Sequence, residues 1–105
     1  MTDLRALQRK VYQNKLDKQF NVTDVSMEFC FLHGELTEAY MSYIKQKGDV
    51  GEELADVAIY LLGLSEILGV DLGAEIDKKI EINANRQYIK EGDAWQKLPE
   101  LGGES

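Results

Sequence analysis

The chain has 105 residues and a formal net charge of −7, a length that fits one domain. Hydrophobic residues make up 44% of it, which excludes a disordered chain and leaves enough apolar surface for a core. The acidic balance argues against a nucleic-acid polymer or an anionic membrane as the main partner, because both repel it; a small phosphorylated ligand stays open, since a bound cation inverts the local field.

One proline, Pro99, and few β-branched runs favour helices over sheet. The first helix is expected from Asp3 to Lys18 with Thr2 as its cap. Leu4, Leu7 and Val11 lie on one face, and Gln8, Tyr12 and Lys15 lie beside it. The charged segment Met1–Lys10 has no apolar signal core, so the expected compartment is cytoplasmic. A second helix is expected from Asp24 to about Lys47, stopped by Gly48, with Met27, Phe31, Leu32, Leu36, Ala39, Tyr40, Tyr43 and Ile44 at helical spacing. Cys30, the only cysteine, rules out an intrachain disulfide and a cysteine zinc site and is expected to be a small buried hydrophobe.

The third helix starts at Asp49, with Glu52 three residues on as in a capping box, and ends at Gly69. Its middle, Leu54 to Leu62, is apolar on nearly every side. A helix of that kind is buried all round, which four short helices of one chain rarely achieve, so a homo-oligomer, a dimer or tetramer packed through the central helices, is expected. The apolar stretch Leu54–Leu68 is too short and interrupted to span a bilayer. A fourth helix is expected from Leu72 to Lys90 with Asp71 as its cap, giving a single all-α domain over residues 1–92. Residues 93–105 form a C-terminal tail, whose Trp95 and Leu98 are candidates to dock on a neighbour.

Two acidic pairs stand out: Glu35 with Glu38 on the second helix, and Glu53 with Asp56 on the third. Each pair is three residues apart on one helical face, where like charges cost an isolated helix about 0.2–0.5 kcal/mol. Glu53 at a helix start is also favourable to the dipole, and Glu35 with Glu38 could be a solvated face; Asp56 inside an apolar run fits neither account. A shared divalent cation resolves the conflict, and magnesium, with manganese as a substitute, prefers such oxygen ligands. On the fourth helix Lys79, Asn83 and Arg86 fall on one stripe that could hold phosphate oxygens or could be an ordinary solvated face. Tyr60, one turn after Asp56, is a candidate to stack on a base and equally a core or interface residue. His33 points away from Glu35 and is a surface or structural residue.

Glu35-Leu36-Thr37-Glu38, Gly51-Glu52-Glu53-Leu54-Ala55-Asp56-Val57, Leu68-Gly69-Val70-Asp71-Leu72, and Lys79 with Asn83 and Arg86 resemble the MazG-like nucleoside triphosphate pyrophosphohydrolases, over roughly Met27 to Tyr88. The resemblance implies a four-helix MazG-like bundle that oligomerises. It also implies magnesium on acids from two helices, here Glu35, Glu38, Glu53 and Asp56, and cleavage of a small-molecule nucleotide between its α- and β-phosphates. Lys79, Asn83, Arg86 and Tyr60 would then contact substrate. The chain departs from the family pattern where a first acid is usual: Phe31 and Leu32 stand there, and either Glu38 or Glu28 would have to substitute. A non-catalytic helical oligomer, serving as a binding or assembly module, is the competing expectation.

Overall fold

The computed structural model describes residues 3–86, 88–91 and 94–97. The elements are α1 (Leu4–Asp17), α2 (Val25–Ile44), α3 (Val50–Ile67), α4 (Leu72–Ala84), β1 (Tyr88–Glu91) and β2 (Ala94–Lys97). They fall into two compact units, residues 1–73 and 74–105. The fold is all-α, with one short β-hairpin after its last helix.

The helix starts follow from short polar side chains. Asp3, rather than Thr2, caps α1 by accepting from the backbone N–H groups of Arg5 and Ala6; Thr2 lies outside the described residues. Asp24 caps α2 by accepting from Met27 N–H at 3.0 Å. Asn21 builds the turn before it: its Oδ1 accepts from Thr23 and Asp24 N–H, and its Nδ2 donates to the Asp24 carbonyl. Helix α2 ends at Ile44, before the expected Lys47. Gln46 has already turned left-handed (φ 53°) ahead of Gly48 (φ 84°), and no apolar periodicity continues through this polar stretch to hold the helix open. The expected capping box at Asp49 does not form. Its carboxylate makes no cap bond to the helix and instead accepts the Ser42 hydroxyl of α2. At the other end of α3, Gly69 takes φ 70° and Val70 N–H donates back to the Ser65 carbonyl at 2.8 Å, the closure that glycine permits.

Three pairings set the direction of α2 against α3. Ser42 meets Asp49, Glu38 lies with Glu53, and Phe31 meets Tyr60, so α2 and α3 form an antiparallel hairpin. Helix α1 runs antiparallel to α3 as well. Gln8 bonds Glu66, Val11 reaches Gly63, and Lys15 lies over Tyr60. The approach at Gly63 is close: a Cβ there would stand 3.2 Å from the Val11 side chain. The α1 stripe that is most buried is the one carrying Gln8 and Lys15, while Leu4, Leu7 and Val11 are only half-buried. Gln8, fully buried, donates to Glu66 and to the Val70 carbonyl and accepts from Leu72 N–H, tying α1 to the turn that leads into α4.

Among the described residues, helix α3 is only partly enclosed. Ala39, Leu62 and Leu64 are the buried apolar residues, while Leu54, Ile59, Leu61 and Leu68 of α3 are exposed, and so are Leu36, Tyr40 and Tyr43 of α2. Cys30, expected inside, is exposed. Among the described residues, no single helix is long and apolar enough to cross a membrane.

The fourth helix stops at Ala84 instead of Lys90, with Asn85 N–H shared between the Glu81 and Ile82 carbonyls. Residues 88–91 then pair antiparallel with 94–97, Tyr88 opposite Lys97 and Glu91 opposite Ala94. Gly92-Asp93 between two short segments is a hairpin signal that outweighed a weak helical pattern. Part of the expected tail is therefore strand. Trp95 lies in β2, and the docking expected of Leu98 falls outside the described residues.

Candidate functional site

The antiparallel α2–α3 hairpin brings acids from both helices to one place. Glu35 and Glu38 stand on adjacent turns of α2, and Glu53 stands in the first turn of α3. A carboxylate oxygen from each lies within 4.8 Å of the other two. Glu35 and Glu53 are half-buried and Glu38 is exposed. One oxygen of Glu53, Oε2, is buried and accepts no hydrogen bond among the described residues. A buried acceptor without a donor is unfavourable, more so when charged, so this oxygen is the least satisfied point of the cluster.

The electrostatics agree with the geometry. Burial raises the Glu35 carboxyl above its ordinary value of 4.5, and the neighbouring charges of Glu38, Asp56 and Glu53 raise it further. Burial also leads for Glu53, followed by Asp49, Glu38 and Asp56, with Lys47 opposing them. Asp56 thus acts on the cluster by its charge but stands outside the tight group of three. Its place in an apolar run led to the expectation of burial; it is exposed, because that flank of α3 is uncovered among the described residues. Three oxygen donors and no nitrogen or sulfur make a set suited to a hard cation such as magnesium, calcium or manganese.

Of the two acids in line to replace the one absent at Leu32, the structure gathers Glu38 with Glu35 and Glu53 and withholds Glu28. The Glu28 side chain is 1% exposed, and both its oxygens are taken: Lys15 donates to Oε1 at 2.5 Å and Asn21 to Oε2 at 2.9 Å. Tyr60 stands between these two groups. Its ring meets Phe31 edge-on at 6.0 Å, the Lys15 ammonium lies 5.6 Å from its centroid, and burial followed by the charges of Glu35, Glu28, Asp56 and Glu38 raises its phenol. Lys79 and Asn83 are exposed on α4, in the second unit, where Arg86 donates to the Asn83 side chain at 2.9 Å. His33 is exposed, as expected of a surface residue.

The pairing of Lys15 with Glu28 and the part played by Asn21 are not evident in local sequence spacing. The available signal was Lys15 on the same stripe as Gln8 and Tyr12, a polar stripe beside an apolar one, which helix periodicity alone classes as solvated.

The protein is of the all-α class, with carboxylates gathered on the facing turns of a helical hairpin. The chain belongs to the MazG-like family, whose model matches residues 27–101. Comparison with individually curated proteins and with solved structures gave no match.

Raised carboxyls imply a stability profile. Glu35 and Glu53 favour the fold most when protonated, below about pH 4.5, and this contribution is lost as pH rises through their elevated values. Without divalent cations, Glu53→Gln is therefore expected to melt higher than wild type at pH 7.5, with the difference closing by about pH 4. Equal melting temperatures at pH 7.5 would show that the cluster is not strained.

Proposed function

We propose that the protein is a magnesium-dependent nucleotide pyrophosphohydrolase that converts a nucleoside triphosphate to its monophosphate and pyrophosphate, with manganese able to substitute. The observation that carries this reading is the meeting of Glu35, Glu38 and Glu53, with the Glu53 Oε2 atom buried and unsatisfied. Membership of the MazG-like family supports it.

The residues fit the cation. Glu35, Glu38 and Glu53 would hold it, with Asp56 as the fourth acid, and the bound cation would offset the charge of the triphosphate. A carboxylate of this set that is not engaged by the cation would accept the proton of the attacking water. Lys79, Asn83 and Arg86 are assigned to phosphate oxygens on their chemistry: an ammonium, an amide and a guanidinium. Tyr60 contributes an aromatic face for the nucleoside. The protein works as a homo-oligomer, a dimer or tetramer; the exposed Leu36, Tyr40, Tyr43, Leu54, Ile59 and Leu61 of the central helices support that assignment. Its place is the cytoplasm, where nucleotides and magnesium are supplied.

A second reading has one specific support. Leu32 occupies a position where an acid would reach the same cluster, which suits a non-catalytic helical module that keeps the bundle. Pyrophosphate release decides between the two. Over a nucleotide panel with magnesium, wild type is expected to turn over at least one triphosphate. Glu38→Gln and Asp56→Asn should each lose on the order of a hundredfold or more, as for removal of a charge-stabilising group, with helical content unchanged. No release from any nucleotide, with magnesium or manganese, would favour the module.

Light scattering at micromolar concentration should give at least twice the 11.9 kDa chain mass. A monomer would contradict the assignment of the exposed α2 and α3 residues to an interface.

A further inference from the structure

A cleft of about 370 Å³ opens beside the acidic cluster, lined by Lys15, Phe20, Asn21, Met27, Glu28, Phe31 and Tyr60. That volume lies in the range of small-molecule sites, about 300–1,000 Å³. Its walls combine aromatic faces with a buried ion pair. Along α2 the order is Glu38, Glu35, Phe31, Glu28, and along α3 it is Glu53, Asp56, Tyr60. From Glu35 to Glu28 the helix rises about 10 Å, roughly the span of a nucleoside. A nucleotide with its phosphates at the acids would thus lay its base by Phe31 and Tyr60 and turn the edge remote from the sugar towards Lys15.

The polarity of that end of the cleft is one-sided. Glu28 is closed to a ligand, since its side chain is 1% exposed and each oxygen already accepts a bond. Asn21 is engaged at both ends of its amide. Lys15, whose side chain is 10% exposed, has three N–H donors, of which Glu28 takes one. The others meet no acceptor among the described residues. An ammonium held this way offers donors only, so it rewards a carbonyl and repels an amino group.

Resting on the nucleotide reading above, we propose that this cleft is a base subsite that selects oxo over amino bases: a 6-oxopurine over adenine and a 4-oxopyrimidine over cytosine, with Lys15 donating to the ring carbonyl. Lys15 is the specificity-determining residue, and Glu28 with Asn21 positions it.

Two matched substrate pairs test this on the wild-type protein. ITP and ATP differ at purine position 6, and UTP and CTP differ at pyrimidine position 4. The oxo member of each pair is expected to show a kcat/KM about ten- to a hundredfold higher, the worth of a hydrogen bond to a charged group. Equal values, or preference for the amino member, would overturn the proposal while leaving the hydrolase reading in place. If no nucleotide releases pyrophosphate, the hydrolase reading fails, and IMP against AMP binding, followed by tyrosine fluorescence, decides the cleft on its own. Tighter IMP binding supports the subsite; equal binding, or none, overturns it. The paired variant Lys15→Met with Glu28→Met replaces a buried ion pair by apolar side chains, a change proteins often accept. It should bring the ITP/ATP ratio to within about twofold, through KM. A purely structural role for Lys15 would lower both substrates alike and keep the ratio, which would overturn the assignment. Should this variant not fold, the wild-type pairs still decide.

Discussion

Mutual repulsion among carboxylates at the α2–α3 hairpin is the constraint around which this protein is arranged. Glu35, Glu38 and Glu53 converge with Asp56 close by, and one oxygen of Glu53 is removed from water with no donor to meet it. Left alone, such a group would push the two helices apart. The hairpin is held by contacts at either side of the cluster: the Ser42 hydroxyl on Asp49, the buried Ala39, and the Phe31–Tyr60 ring contact. Helix packing thus offsets an electrostatic cost that is concentrated at one point, and a bound cation would remove that cost at its source.

The second organising element is the buried pair of Lys15 and Glu28. It links α1 to α2 and, through the Tyr60 ring, to α3. Asn21 joins it to the turn that starts α2. Removing one partner of a buried pair typically costs about 3–5 kcal/mol, because the other is left charged and alone. That pair fixes Glu28 away from the acidic cluster, which is why the extra acid on α2 comes from the next turn, at Glu38, and not from the preceding one. Gln8 plays the corresponding part at the far end of α1, where three hydrogen bonds set the turn from α3 into α4.

How much of this was legible depended on range. The four helices and their order follow from periodicity, and the spacing of Glu35 with Glu38 and of Glu53 with Asp56 already marked the acids. Glu38 was already the favoured extra acid from its place on the α2 stripe; what local spacing does not encode is the contact between α1 and α2 that takes Glu28 out of reach. Asp49 looked like a helix cap and serves instead as a bridge to Ser42, because a side chain at a tight helical hairpin can reach the facing helix as easily as its own backbone. The β-hairpin was hidden by a different cause: Gly92 reads equally as a helix stop and as a turn, and only pairing of the flanking segments separates the two. The exposure of Asp56 and Cys30 follows from the open flanks of α2 and α3, which a sequence cannot distinguish from a closed core.

The claim at the centre is that the three clustered glutamates form a cation site. Crystals grown with manganese, measured for anomalous scattering at the manganese edge, test it most directly. A single strong peak bounded by Glu35, Glu38 and Glu53, with the Glu53 Oε2 atom among its neighbours, is the expected result. No peak at millimolar manganese, or a peak elsewhere with Glu53 Oε2 bonded to a protein donor, would contradict it.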